Sequence, residues 1–335
     1  MIKVAINGFG RIGRVAFRQM IVSTDFDIVA INDLTDAKQL AYLLKYDTNH
    51  RSFHEDMISH DEDEIIINNK KRIKVYAEMD PEKLPWKDLD VDVVLECTGI
   101  FTDLEGASKH VTAGAKHVII SAPAKGDMKT IVYNVNDNIL DGTETVISAA
   151  SCTTNCLAPV VKVINDAIGI EKGFMTTVHA YTNDQATLDI PHKKGIEARR
   201  GRAAAANIIP SSTGAASAVG LVIPELKGRL DGAAYRVPVP DGSIIDVVLE
   251  LKRNTTVEEI NKLLETNQDD TLKFTMDPVV STDILGKEYG ALVDGLLTTV
   301  LEADGKQLVK VAAWYDNEYG YTAQMLKTAK KLMNK

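Results

Sequence analysis

At 335 residues, with 45% hydrophobic and 25% charged residues, the chain has an ordinary globular composition and enough length for about two domains. A net charge of −9 argues against general nucleic-acid affinity, and no apolar run approaches the ~20 residues of a membrane-spanning helix. Three cysteines, Cys97, Cys152 and Cys156, and seven scattered histidines form neither a disulfide framework nor paired zinc ligands, so reduced thiols, no metal and a cytoplasmic protein without a signal peptide are expected.

The first third alternates strands and helices. Residues 2–7 form a β-branched run, and Gly8-Phe9-Gly10-Arg11-Ile12-Gly13 then opens a helix carrying Val15, Phe17 and Met20. A second strand over 27–32 ends at Asp33, twenty residues past Gly13. This is the spacing of a dinucleotide fingerprint: Gly8 for the tight turn, Gly10 for close approach of a pyrophosphate, Gly13 for helix packing, and Asp33 for the ribose hydroxyls. Arg11 and Ile12, inside the loop, belong to the same candidate set. A helix over 36–46, a charged hairpin excursion over 52–74, a strand over 91–96, a helix over 104–113 and a strand over 117–121 complete the pattern of a doubly wound, mostly parallel sheet. Thr98, Gly99 and Phe101 follow the strand ending at Glu96, on the edge where such folds bind ligand; a simple β-to-α turn is the other reading. Ser121, at the next strand end, joins the cofactor candidates.

Beyond residue 151 the pattern changes to long strands, at 174–181, 232–239, 244–251, 296–301 and 308–315, with helices at 214–222 and 257–266. That is the signature of an α+β domain with a mixed or antiparallel sheet. Residues 317–333 read as an amphipathic helix. The expected division is an NAD-binding domain over 1–151, a catalytic domain over 152–316, and a C-terminal helix over 317–335 packing back on the first domain.

The run Ala150-Ser151-Cys152-Thr153-Thr154-Asn155-Cys156 sets a thiol at the start of a helix whose body continues through Leu157 to Ile164. Pro159 is tolerable only within the first turn or two, which places the start near Cys152. Capping by Ser151 leaves the partial positive charge of free N–H groups on Cys152 and favours a thiolate. A buried, inert cysteine beside a cap is the alternative. His179, 27 residues on at the end of a strand, reads either as its base or as a half-buried strand histidine. A dinucleotide domain beside an activated thiol points to aldehyde oxidation through a covalent thioester.

NGFGRIGR, SCTTNC, HAYTNDQ, RRGRAAAANIIPSSTGAA, RVPVPDGS and WYDNEYGYT, in that order, resemble the phosphorylating glyceraldehyde-3-phosphate dehydrogenases over essentially the whole chain. The resemblance implies that Cys152 is the nucleophile and His179 its partner, with NAD as cofactor and Asn317 on the nicotinamide carboxamide. It implies that Thr182, Asp184 and Arg236, with Arg200 nearby, hold the phosphate of glyceraldehyde 3-phosphate, and that Ser151, Thr153, Thr213 and Gly214 hold the attacking inorganic phosphate. Arg199, Arg200 and Arg202 read equally as a solvated or subunit-contact loop. A homotetramer is implied, with 186–202 reaching a neighbour's cofactor, and no membrane or primary nucleic-acid partner. Cys156 is expected to be structural. Ser217 stands where the family often has lysine. Erythrose-4-phosphate dehydrogenase is the near alternative, which the HAYTNDQ and SSTGAA segments disfavour, and a dinucleotide-sensing protein without turnover is the remote one.

Overall fold

The computed structural model describes residues 1–192 and 195–335. By its contacts the chain divides into one unit of Met1–Ile131, Asp137–Ala150 and Met325–Lys335, and a second of Val132–Asn136 and Ser151–Gln324.

The first unit follows the alternation of its sequence: β1 (Ile2–Asn7), α1 (Arg11–Ile21), β2 (Phe26–Asn32), α2 (Ala37–Lys45), β3 (Ile58–His60), β4 (Glu64–Ile67), β5 (Lys71–Tyr76), β6 (Val93–Glu96), α3 (Leu104–Thr112), β7 (His117–Ile120) and β8 (Val146–Ser148). The strands form one sheet in the order β3-β4-β5-β2-β1-β6-β7-β8. β5 through β8 run parallel along it, while β3 and β4 add as antiparallel neighbours. The charged excursion is therefore an extension of the sheet. Asp36 and Asp103 cap α2 and α3 by accepting the N–H groups of Gln39 and Gly106, each cap contributing about 1 kcal/mol. One core cluster joins Val4, Ile6 and Ile28 of the sheet to Phe17 and Met20 of α1, Leu40 and Leu44 of α2, and Met325, Leu326, Ala329 and Leu332 near the C-terminus. A second cluster includes Val94, Val118, Ala107 and the fully buried Trp86. Order reverses about β1, so β1 and β6 flank the switch point where such folds bind ligands.

The second unit comprises α4 (Cys152–Ala167), β9 (Ile170–Ala180), β10 (Ile209–Ser212), α5 (Ala215–Val222), β11 (Leu230–Val237), β12 (Ser243–Leu251), α6 (Val257–Thr266), β13 (Leu272–Thr275), β14 (Ala291–Asp294), β15 (Thr299–Ala303), β16 (Lys306–Tyr315) and the start of α7 (Tyr319–Met333). Its mixed sheet runs β10-β11-β9-β12-β16-β14-β13, with β15 on β16. The face carrying Met175, Thr177, Ile245, Val247, Val311 and Ala313 is buried, and α4 and α5 pack on the sheet. The strand expected over 296–301 begins at Thr299 because Asp294 accepts the Leu296 N–H at 3.1 Å and starts a short turn. α7 begins at Tyr319, not at 317, because Asp316 accepts the N–H groups of Glu318 at 2.9 Å and Tyr319 at 2.6 Å. Among the described residues no helix is long and apolar enough to cross a membrane.

Candidate active site

α4 starts at Cys152, with Ser151 in extended conformation as its cap and accepting the Thr154 N–H at 3.1 Å. Ala150, just before it, holds a left-handed φ of +58°, a strained conformation for a residue with a Cβ that costs on the order of 1 kcal/mol. The strain fixes where the chain turns into the helix. Cys152 Sγ lies 3.4 Å from His179 Nε2. β9 carries His179 on its buried face, and the Ala180 carbonyl accepts from Nδ1 at 2.7 Å. In the tautomer that donates the Nδ1 proton there, Nε2 offers a lone pair to the thiol.

Arg236, on β11 in register opposite His179, places Nη1 2.9 Å from Nδ1 and donates to the Ala180 carbonyl at 3.1 Å and Thr182 Oγ1 at 3.2 Å. Burial, reinforced by this guanidinium, holds the His179 imidazolium down to about 3. Burial also pushes the Cys152 thiol up, and the Arg236 charge and hydrogen bonds from Thr153 offset only part of that. The expected resting thiolate is therefore corrected to a neutral thiol facing a neutral imidazole, because desolvation outweighs the helix-start effect.

Thr182, Asp184, Arg200 and Arg236 come together. Asp184 accepts from both the Thr182 hydroxyl and the Arg200 guanidinium. Burial raises the Asp184 carboxyl, but Thr182 and Arg200 more than compensate and leave it below its ordinary value. A carboxylate in that state orients Thr182 and Arg200 and cannot itself receive an anion. Thr153 lies beside the nucleophile on the first turn of α4. Its side chain is buried, and its hydroxyl meets Tyr315 at 2.9 Å, which in turn meets Thr177 at 2.8 Å. The Thr153 hydroxyl is thus shared between Tyr315 and the Cys152 thiol. Thr213 and Gly214 lie where β10 passes into α5, with Thr213 Oγ1 accepting the Ala215 N–H at 3.2 Å. Cys156 is fully buried, as a structural thiol would be. Asn317 is buried with Oδ1 taken by the Ser243 hydroxyl at 2.7 Å, and Ser243 Oγ accepts the Ala180 N–H at 3.0 Å. The amide of Asn317 is thereby left as a donor, tied to the strand that carries His179.

In the first unit a cavity of about 420 Å³ is lined by Gly8, Gly10, Asp33, Thr98 and Phe101, together with Asn32, Leu34 and Glu78, which sequence reasoning missed. Gly8 has φ +91°, and a Cβ there would come within 2.7 Å of Thr98 N; a Cβ on Gly13 would stand 2.2 Å from the Gly8 carbonyl oxygen. At Gly10 a Cβ would meet nothing within 4 Å, so that backbone faces open space, as a pyrophosphate cradle requires. Asp33 accepts the Phe9 N–H at 2.8 Å and the Thr35 N–H at 2.9 Å, which fixes its carboxylate at the cavity. These residues fit a dinucleotide. Arg11, Ile12 and Gly13 form the first residues of α1 directly after Gly10, Gly99 follows Thr98, and Ser121 follows β7. Arg11 is paired with Asp47, whose carboxyl ends at about 2 because the pair and its hydrogen bonds overcome burial. Tyr315, edge-on to His179 with ring centres 5.9 Å apart, and Ser243 are supporting residues that the sequence reading missed; a tyrosine ending a strand is the only signal the former gives.

A doubly wound dinucleotide domain joined to a domain with a cysteine–histidine pair beside two arginines, Arg200 and Arg236, fits an NAD-dependent oxidoreductase of the aldehyde-oxidising type. Residues 2–104 match the glyceraldehyde 3-phosphate dehydrogenase NAD binding domain and 151–317 match the C-terminal domain of the same family. The chain is 60% identical over 328 residues to the glyceraldehyde-3-phosphate dehydrogenases of Clostridium acetobutylicum and Clostridium pasteurianum, covering 98% of this chain and 97% of each relative. It is 55% identical over 329 residues to that of Streptococcus pyogenes, with the same coverage. The chain belongs to the glyceraldehyde-3-phosphate dehydrogenase family, and its cofactor is NAD.

Proposed function

We propose that the protein oxidises D-glyceraldehyde 3-phosphate with NAD and inorganic phosphate to 1,3-bisphosphoglycerate, through a thiohemiacetal and a thioester on Cys152. The observation that carries this is the 3.4 Å contact between Cys152 Sγ and His179 Nε2 at the start of α4, next to Arg236, Arg200 and Thr182. The aldehyde's own phosphate sits against these last three. Its negative charge cancels the field of Arg236 on His179, so substrate binding strengthens the base at the moment it is needed.

Nε2 takes the thiol proton as sulfur attacks the carbonyl carbon and passes it to the developing oxyanion, which the Cys152 N–H at the helix start steadies, so that a thiohemiacetal hydroxyl forms and Nε2 is free again. Gly8, Gly10, Asp33, Thr98 and Phe101 would hold NAD, which would supply a hydride acceptor for oxidation of the adduct, and the Asn317 amide is the candidate donor to its carboxamide. His179 takes the hydroxyl proton of the adduct in that step. The acyl thioester remains on Cys152. Inorganic phosphate, held by Ser151, Thr213, Gly214 and backbone N–H groups, attacks the acyl carbon, and the sulfur leaves as thiolate.

The exposed face of the catalytic sheet supports a homo-oligomer, read as a tetramer. Phe174 and Val178 of β9, with Tyr235 of β11, are exposed there, an apolar patch of the kind that second copies cover. A cytoplasmic location belongs to the same reading and suits the free thiols of Cys97, Cys152 and Cys156. Initial rates with glyceraldehyde 3-phosphate and with erythrose 4-phosphate, each with and without phosphate, test the proposal. Phosphate-dependent preference for the triose is expected, and preference for the tetrose would replace it.

A further inference from the structure

One fully buried polar cluster in the first unit takes no part in the chemistry above. Glu96, the last residue of β6, is 1% exposed, and His110 on α3 and Trp86 are 0% exposed. Glu96 Oε1 accepts the Thr98 N–H at 2.8 Å and the Thr98 hydroxyl, and Oε2 accepts from Asn7 Nδ2. His110 Nε2 stands 3.1 Å from the same Oε2. The Trp86 indole is a donor only, and it gives its N–H to His110 Nδ1 at 2.9 Å. Nδ1 is therefore the bare nitrogen of the ring, and Nε2 carries the proton that goes to Glu96. The carboxylate receives four donors and has no acceptor position left over.

From Asn7 the network continues. Asn7 Oδ1 accepts from Asn32 Nδ2 at 2.7 Å, and the Asn32 amide closes on the Glu78 backbone, donating to its carbonyl at 2.9 Å and accepting its N–H at 2.9 Å. Asn7 and Asn32, ending β1 and β2, and Glu78 and Thr98, from the segments after β5 and β6, all line the cofactor cavity. Gly8 is pressed so close to Thr98 that no Cβ fits between them, so a displaced Thr98 displaces the glycine loop.

We propose that Trp86, His110 and Glu96 are positioning residues for NAD: the indole fixes the imidazole tautomer, the imidazole fixes the carboxylate, and the carboxylate holds the Thr98 turn and Asn7 in the shape that receives the cofactor. The proposal rests on the assignment of this cavity to NAD. Such a device acts on cofactor affinity and leaves the Cys152 chemistry alone, because none of its members touches the reacting atoms.

The test is equilibrium titration of the full-length protein with NAD in the absence of aldehyde, paired with kcat at saturating cofactor. His110→Leu removes the ring and is expected to weaken NAD binding about tenfold with kcat within about twofold of the parent. Trp86→Phe keeps an aromatic ring but loses the indole N–H with the rest of the five-membered ring, and is expected to weaken binding by roughly threefold; it carries the test if His110→Leu fails to fold. His110→Gln can still donate to Glu96 and accept from Trp86, and should restore most of the parent affinity. Unchanged NAD affinity in Trp86→Phe and His110→Leu, with only a lower melting temperature, would overturn the proposal, as would a fall in kcat without a change in affinity. A parent protein that bound no NAD would overturn the cavity assignment, and this inference with it.

Discussion

Replacing His179 by Asn should remove most of one specific acid sensitivity of the fold. His179 is 3% exposed, and burial followed by the Arg236 charge lowers its pKa to about 3, whereas an unfolded chain binds the proton near pH 6.5. Between those values the unfolded state takes up a proton that the native state refuses. The stability due to the neutral ring is therefore complete above about pH 6.5 and is lost progressively as pH falls toward about 3, at roughly 1.4 kcal/mol per pH unit. At pH 5 the loss is about 2 kcal/mol. An asparagine amide can still donate to the Ala180 carbonyl but does not titrate. Urea unfolding of parent and His179→Asn at pH 7 and pH 5 isolates the effect, since the other ionisable groups cancel in the comparison. The stability advantage of the parent should shrink by about 2 kcal/mol on going to pH 5. A difference constant to within about 0.5 kcal/mol would show that the native imidazole accepts the proton, and the desolvation argument would fail.

Cys152→Ser should abolish both the burst of reduced cofactor and steady turnover in stopped-flow absorbance, because a hydroxyl lacks the thiolate's nucleophilicity and forms no activated thioester. Thr153→Val should cost about 1 kcal/mol of unfolding free energy through one lost hydrogen bond, since the Tyr315 hydroxyl keeps Thr177, while Thr213→Val should slow phosphate-dependent acyl transfer and spare the burst; a Thr153→Val variant of unchanged stability with slowed acyl transfer would assign Thr153 to the phosphate site. NAD should be strongly preferred to NADP by kcat/KM, since the Asp33 carboxylate repels a 2′-phosphate, and Asp33→Ser should narrow that preference by about tenfold or more.

Features set by neighbouring residues were legible in the sequence. The glycine spacing after β1, Asp33 at the end of β2, and Ser151-Cys152 at the start of α4 are local, and each lies at the turn or cap that its residue types imply. Short strands such as β10, β13 and β14 were not legible, because four residues are too few for a period to show and their existence depends on pairing. The shifted starts of β15 and α7 came from single side chains, Asp294 and Asp316, that capture backbone N–H groups. At the site the residue types were readable but their directions were not. Thr153 sits next to the nucleophile in sequence, yet its hydroxyl faces Tyr315, 162 residues away. The pressure of Arg236 on His179 arises from strand pairing across 57 residues, and the Glu96 network from four segments whose residues look like ordinary core and turn positions.

The proposed reaction turns on a thioester on Cys152 that phosphate must break. Rapid mixing of the protein with NAD and glyceraldehyde 3-phosphate, with and without inorganic phosphate, followed by absorbance of reduced cofactor and identification of the product, tests it most directly. A burst stoichiometric with subunits in both cases, followed by sustained turnover to an acyl phosphate only when phosphate is present, is the expected result. Turnover independent of phosphate and release of a free carboxylic acid would contradict it.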